Sequence, residues 1–147
     1  MARFRKILVP IDFSKHSEAA LTLAIELARE GGGSVHLFHA YELPAAIGMS
    51  YGIAIPQAVW DGVQEAARQR LDECFARVRA AGLSGASHLA AGPAADAITQ
   101  AAAAEKADLI VMGTRGLTGL KHVLLGSVAE RVLRTAPCPV LTLKSED

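Results

Sequence analysis

Two short apolar segments, at positions 6–11 and 108–112, constrain the fold more than any other feature of this sequence. In neither segment do polar and apolar residues alternate, as they would in a strand with one face open to water. Apolar runs of this length are typical of strands that are buried on both faces, as in a parallel sheet. The two segments therefore predict a parallel sheet that is covered by helices on both sides.

Strand-like and helical segments alternate along the rest of the chain, and this alternation is typical of a doubly wound α/β domain. The predicted strands cover 6–11, 35–40, 87–91, 108–112 and 140–143, and the predicted helices cover 14–31, 57–81, 94–106 and 127–135. We expect a five-stranded parallel sheet of order 3-2-1-4-5 with helices on both faces, in a Rossmann-like or flavodoxin-like arrangement. A chain of 147 residues suits one such domain, spanning 1–147.

Composition excludes several classes of protein. Fifteen Lys and Arg balance fifteen Asp and Glu, which argues against a nucleic-acid-binding domain because such domains carry a basic excess. No run of 18 apolar residues is present, so no membrane span is predicted. The two cysteines, Cys74 and Cys138, are spaced neither as a disulfide framework nor as a zinc site. We expect reduced thiols and a cytoplasmic location.

A glycine-bearing segment follows the predicted fourth strand. Gly113, Gly116 and Gly126 lie within it, and Ser127 opens the predicted fourth helix. Glycine permits positive φ and a close approach of the backbone to a bulky anion, and the free N–H groups of a helix N-terminus favour phosphate. Between Gly113 and Gly126 there is no acid, and the two cations there are Arg115 and Lys121. The segment is a candidate triphosphate cradle.

A purely structural interpretation of the same residues is equally open. The spacing matches neither a P-loop nor the dinucleotide-binding fingerprint. Gly113 could simply end a strand, and the run from Ser127 to Glu130 matches a capping box that needs no ligand. From the spacing alone, both interpretations remain.

Several segments of the chain resemble the universal stress protein family. They are ILVPIDFS at 7–14, VHLFHA at 35–40, DLIVMG at 108–113 and PCPVL at 137–141. The ATP-binding branch of that family is marked by G-x2-G-x9-G-[ST]. Gly113, Gly116, Gly126 and Ser127 match this pattern in full.

The resemblance implies a role for each residue that matches the family pattern. On the nucleoside side it implies Pro10, Ile11, Asp12, Met112, Gly113 and the backbone of Ala40, where the family commonly has Val. Around the phosphates it implies Arg115, Gly116, Gly126, Ser127 and Val128. It further implies Mg²⁺ on the phosphates and a homodimer formed through the last strand, Val140–Leu143.

The predicted function is an ATP-binding regulatory protein that acts as a homodimeric sensor or switch with an unidentified protein partner. No catalytic triad or carboxylate pair stands out, so no catalytic residue is assigned. One alternative is a slow ATPase that uses the same pocket. Another is a flavodoxin-like signalling module that is independent of nucleotide. His36 and His39 lie three positions apart on one strand and therefore face opposite sides, which argues against a metal site shared by these two residues.

Overall fold

The computed structural model of the chain describes residues 4–42, 55–115 and 125–144. Strands and helices alternate along these residues. The strands are β1 (Lys6–Pro10), β2 (Ser34–Tyr41), β3 (Gly85–Ala91), β4 (Leu109–Gly113) and β5 (Val140–Leu143). The helices are α1 (Lys15–Gly31), α2 (Gln57–Ala80), α3 (Ala94–Ala104) and α4 (Ser127–Thr135).

The five strands form one parallel sheet in the order β3-β2-β1-β4-β5. This order confirms the predicted doubly wound fold. From β1 the chain builds outward through β2 to β3, and then crosses back to place β4 on the other side of β1. The crevice at such a reversal lies at the carboxyl ends of the two central strands, which is where α/β sheets bind their ligands.

Apolar side chains form a separate layer on each face of the sheet. Ile7 and Val9 of β1 point to the layer under α1 and α2, whereas Leu8 points to the layer under α3 and α4. On β2, Leu37 and Phe38 divide in the same way, as the period of two in a strand requires. Burial of β1 on both faces explains why its sequence does not alternate.

Most element ends lie within two residues of their predicted positions. Ser14 caps α1 by accepting a hydrogen bond from the Ser17 backbone N–H at 3.1 Å, and Gly32 ends this helix with φ of 72°. Two ends differ from the prediction by two residues: β3 starts at Gly85 rather than at position 87, and α3 ends at Ala104 rather than at position 106. Lys106 has φ of 56°, outside the helical region, and the Ala107 N–H closes the end by donating to the Ala102 carbonyl at 2.9 Å.

Two of the predicted segments fall partly or wholly outside the described residues. The predicted loop 41–56 is described only at its ends, and residues 116–124, with Gly116 and Lys121, are not described. Among the helices that are described, none is both long enough and apolar enough to cross a membrane.

Candidate functional site

A cleft opens at the carboxyl ends of β1 and β4, where the sheet order reverses. Its cavity volume is about 90 Å³, below the about 300–1,000 Å³ typical of small-molecule sites, so the described residues enclose only part of the space that such a ligand needs. Its walls are predominantly apolar, and its lining residues are Pro10, Ile11, Asp12, Phe38, Ala40, Ala94, Ile98, Met112, Gly113 and Val128.

The backbone of β2 reaches beyond the end of β1 and forms one wall of the cleft. The last contact between the two strands is the Ile11 N–H, which donates to the Phe38 carbonyl at 2.7 Å. Backbone groups two residues apart on a strand point the same way, so the N–H and C=O of Ala40 point past the end of β1. A flat ring in the cleft could therefore find a donor and an acceptor on the edge of β2.

A tight turn follows β1 and holds Asp12 at the cleft. The Asp12 Oδ1 atom accepts hydrogen bonds from the Ser14 backbone N–H at 3.0 Å and from the Ser14 hydroxyl at 2.5 Å. Phe13, between them, has φ of 66°, which is unusual for a bulky residue. Such backbone strain is characteristic of functional sites when neighbouring contacts enforce it.

Two side chains on the far face of the sheet hold Phe13 in place. The Phe13 ring lies 4.6 Å from the His39 ring, and the Arg70 guanidinium carbon lies 4.0 Å above the Phe13 ring centre. The His39 Nδ1 donates to the Ile11 carbonyl at 2.6 Å. Burial lowers the pKa of His39, and this effect outweighs the favourable hydrogen bond to Ile11 and the negative charge of Asp12. A largely neutral His39 thus fixes the carboxyl end of β1.

Of the two properties that glycine offers, positive φ and close approach, the two described motif glycines use close approach. Gly126 has φ of −69°. A Cβ at Gly126 would lie 3.0 Å from the Thr114 carbonyl oxygen, and a Cβ at Gly113 would lie 3.0 Å from the His16 Cβ. The Gly126 N–H donates to that same Thr114 oxygen at 2.5 Å, so the two ends of segment 114–126 meet.

Helix α4 begins beside this meeting point. The capping box that the sequence from Ser127 to Glu130 matches is not formed. The N-cap residue is Gly126, and no side chain caps the helix within the described part of the chain. Ser127 is therefore already in the first turn, and it is exposed. The next residue, Val128, is 38% exposed and lines the cleft. The uncapped N-terminus leaves backbone N–H donors close to the cleft.

The structure brings seven of the eleven predicted site residues to this cleft: Pro10, Ile11, Asp12, Ala40, Met112, Gly113 and Val128. Arg115, Gly126 and Ser127 lie at the two ends of the undescribed segment without lining the described cleft, and Gly116 lies within that segment. What these residues bind stays a prediction at this point.

Sequence reasoning missed Phe38, Ala94 and Ile98, which also line the cleft. Phe38 could have been found from Ala40, because residues two apart on a strand share a face. Ala94 and Ile98 belong to the first two turns of α3, which starts at the carboxyl edge of the sheet directly after β3. Helix-forming alanines carry no chemical signal of such a role.

Nearly the whole chain matches a known protein family. The model of the universal stress protein family matches residues 3–144. The chain belongs to this family. Among curated members, the universal stress protein MJ0531 of Methanocaldococcus jannaschii is 34% identical, and the alignment covers 96% of this chain and 82% of the relative.

Solved structures of universal stress proteins share the same architecture. MJ0577 of Methanocaldococcus jannaschii aligns over 99% of both chains with a TM-score of 0.86 and 27% identity. A universal stress protein solved in complex with cAMP aligns over 99% of this chain and all of the other with a TM-score of 0.68, again at 27% identity. The fold and the family are thus established independently of the motif.

Proposed function

We propose that this universal stress protein binds ATP in the cleft between β1 and β4 and acts as a homodimeric regulator. The observation that carries the proposal is the convergence of three features on one cleft. These are the edge of β2 at Ala40, the turn at Asp12, and the first turn of α4 at Val128. They match what an adenine, a ribose and a chain of phosphates would each require.

The nucleoside half of the cleft supports adenosine. Its walls include Met112, Ile98 and Phe38, apolar side chains that can cover a purine ring. The backbone groups of Ala40 can pair with the edge of that ring without depending on the side chain, so Ala fits as well as Val there. Asp12 lies on the same side and offers a carboxylate to ribose hydroxyls.

The phosphate half is supported by backbone donors and positive charge. The N-terminus of α4 opens beside Val128, and helix N-termini favour anions through their free N–H groups and dipole. Arg115 precedes the undescribed segment, and the sequence places Lys121 within it. The match to G-x2-G-x9-G-[ST] links these elements, and the family member solved with cAMP supports an adenine nucleotide.

Magnesium fits this proposal mainly as a partner of the phosphates. Asp12 is the one carboxylate among the described residues that line the cleft, and its Oδ1 already accepts two hydrogen bonds from Ser14. Mg²⁺ commonly binds through phosphates and water with one or two carboxylates. Its contribution would be to neutralise phosphate charge, with Asp12 as the candidate protein ligand.

We infer that ATP is held rather than rapidly consumed, which separates a sensor from the ATPase alternative. Hydrolysis needs a group that orients the attacking water. Asp12 lies on the nucleoside side, and segment 114–126 contains no acid. Phosphate release under saturating Mg·ATP should stay well below about 1 s⁻¹, the low end for kinases. A faster rate that disappears with the cleft variant described below would favour the ATPase.

The remaining parts of the proposal concern assembly and setting. The homodimer would form through β5, which lies at the edge of the sheet with Leu141 39% exposed, since an exposed strand edge is a template for pairing. The free thiols of Cys74 and Cys138 suit the cytoplasm. A protein partner would read the nucleotide state.

Val128 offers a direct test because its side chain is exposed yet faces the cleft. We expect Val128→Glu to weaken Mg·ATP binding by more than about tenfold, or about 1.4 kcal/mol, because the new carboxylate repels phosphate. The matched Val128→Gln should bind nearly as the wild type does. Glutamate in the first turn of a helix is favourable, so both variants should keep the wild-type melting curve. Calorimetric titration provides the affinities.

Adenosine provides the control on the ligand side. Without phosphates it should bind both variants alike, since the added charge has nothing to repel. Equal ATP affinity of Val128→Glu and Val128→Gln would contradict the placement of phosphates at α4.

A further inference from the structure

Three potential metal-ligating side chains meet on the α3 side of the sheet, toward the end of α3 that lies opposite to the cleft. They are His36 of β2, His88 of β3 and Glu105, the residue that follows α3, and their potential ligand atoms all lie within 4.8 Å of one another. Phe38 pairs with His88 across the two strands, and His36 lies two residues before Phe38. Both histidines therefore point to the α3 side of the sheet.

Hydrogen bonds around Ser34 fix the position of the proton on His36. The Ser34 hydroxyl donates its hydrogen to the Arg5 carbonyl at 3.0 Å. The same oxygen lies 3.1 Å from His36 Nε2, and it can only accept there because a hydroxyl has one hydrogen. Nε2 therefore carries a proton and donates it to Ser34. In the neutral ring, Nδ1 is then a bare lone pair.

The lone pair on Nδ1 faces a carboxylate. The His36 Nδ1 lies 3.2 Å from the Glu105 Oε2, with the side chains 12% and 18% exposed. Despite this distance, Nδ1 is buried without a hydrogen-bond partner among the described residues. Two electron-rich atoms thus face each other with no hydrogen bond between them, an arrangement that a cation would stabilise.

We propose that His36, His88 and Glu105 bind a divalent transition-metal ion, for which Zn²⁺ is the best fit. Two histidines and one glutamate that leave a fourth position open are a known zinc ligand set. Zinc–ligand bonds of about 2.0–2.2 Å place tetrahedral ligand atoms about 3.3–3.6 Å apart. The His36–Glu105 distance of 3.2 Å is already close to this value.

The other ligand needs only a small adjustment. The His88 Nε2 lies 2.5 Å from the Glu105 Oε1, so these atoms must separate by about 1 Å to admit the ion. The side chain of His88 is 43% exposed, which gives the metal an entry path and leaves room for a water ligand. The Nε2–H of His36 donates to Ser34, and this second contact is what orients metal-bound histidines in proteins. A bound ion would tie β2, β3 and α3 together.

Titration of reduced, nucleotide-free protein with Zn²⁺ tests the proposal. We expect one Zn²⁺ per chain by calorimetry, and visible absorption bands typical of four-coordinate Co²⁺ when cobalt replaces zinc. His88→Gln and Glu105→Gln should each lower the affinity by more than about 100-fold, because even the loss of a group behind a ligand costs about 10–100-fold. His88 is half exposed, so its variant should fold, and circular dichroism would verify this.

Two kinds of control variant separate this site from other zinc ligands. Cys74→Ser and Cys138→Ser remove the thiols and should leave Zn²⁺ binding unchanged. Ser34→Ala removes the acceptor behind His36, along with the hydrogen bond from the same hydroxyl to the Arg5 carbonyl, and should weaken binding by about 10–100-fold. Absence of binding by the wild type, binding that survives in folded His88→Gln, or binding lost in a cysteine variant would overturn the proposal. None of these measurements involves nucleotide, so the outcome is independent of the ATP proposal.

Discussion

Helix α3 joins two regions of opposite chemical character. At its start, Ala94 and Ile98 border a cleft that offers apolar surface and backbone hydrogen-bonding groups. Just past its end, Glu105 lies between His36 and His88 in a cluster of titratable side chains. The first region is suited to a large, flat organic ligand with an anionic tail, and the second to a small cation.

The two regions also differ in how the chain specifies them. The cleft depends on places where backbone must come close to backbone, so small residues mark it, as at Gly113 and Gly126. The cluster depends on single side chains from three elements, and nothing in the local sequence marks any of them. A backbone-built site therefore leaves a motif in the sequence, whereas a side-chain cluster becomes visible only once the fold is known.

The largest expected effect tests close approach at the cleft. Gly113→Ala should lower the free energy of unfolding by about 1–3 kcal/mol, because the new Cβ would lie 3.0 Å from the Cβ of His16 and 3.1 Å from its carbonyl oxygen. Gly62→Ala is the matched control. Gly62 lies in α2 with no atom within 4 Å of an added Cβ, so this change should stabilise by about 0.5–1 kcal/mol.

Urea unfolding of the two alanine variants gives both values. If the two substitutions changed the free energy of unfolding alike, the cleft would accommodate a side chain at position 113 as readily as α2 does at position 62. That result would contradict the need for close approach at the cleft. Folded Gly113→Ala should still bind one Zn²⁺, since the cluster lies at the other end of α3.

The next effect concerns the sheet edge beside the cleft. Leu141→Lys should weaken the homodimer by at least about tenfold, or about 1.4 kcal/mol, because the lysine charge would be buried against the partner. Light scattering across a concentration series measures this shift. Leu141→Met, which keeps the apolar surface, serves as the control. A wild type that stays monomeric at high micromolar concentration would contradict the dimer.

Leu141→Lys also distinguishes the cleft from the cluster of His36, His88 and Glu105. The Thr114 N–H, where β4 leaves the sheet, donates to the Leu143 carbonyl of β5 at 3.1 Å, so the edge proposed for dimerisation adjoins the cleft. The cluster lies on β2 and β3, in the other half of the sheet. Zn²⁺ binding should therefore not change when the dimer dissociates.

The smallest effect is a pH dependence at His39. Its pKa is lowered mainly by burial and also by the Arg70 charge, against the opposing influence of Asp12. Below the ordinary histidine pKa of about 6.5, the unfolded chain takes up a proton that the folded chain resists. Stability from this residue is thus present at neutral pH and is lost as the pH falls below that value.

His39→Gln removes this proton uptake while keeping an N–H donor for the Ile11 carbonyl. The difference in unfolding free energy between wild type and variant should therefore narrow between pH of about 7.5 and about 5. Denaturant titrations in the presence of a chelator measure it. A difference that widens toward acid would show that His39 is protonated in the folded protein.

Much of the fold was accessible from the sequence because its signals are local. The apolar runs of β1 and β4, the cap at Ser14 and the glycines after α1 each act within a few residues. The cleft was accessible in part, through the glycine spacing and the family resemblance. The start of α4 at Ser127 was predicted correctly, but its N-cap was not: Gly126 occupies that position, and the contact with Thr114, twelve residues earlier in the chain, holds it there.

The cluster could not be predicted for a related reason. The sequence showed correctly that His36 and His39 face opposite sides of the sheet. The residues that His36 does meet, His88 and Glu105, were not predicted. Finding those partners required the register of β3 against β2, which sets His88 opposite Phe38. It also required the end of α3, which was predicted two residues too late.

Glu105 also bears on how this sequence could be redesigned. The carboxyl end of a helix carries partial negative charge, so an acid there is unfavourable by about 0.3–1 kcal/mol at an exposed position, and a base is favourable by a similar amount. The last turn of α3 has no basic residue. A design guided by the helix dipole alone would place Lys or Arg at position 105, and it would thereby erase the proposed metal ligand together with the contacts of Glu105 to His36 and His88.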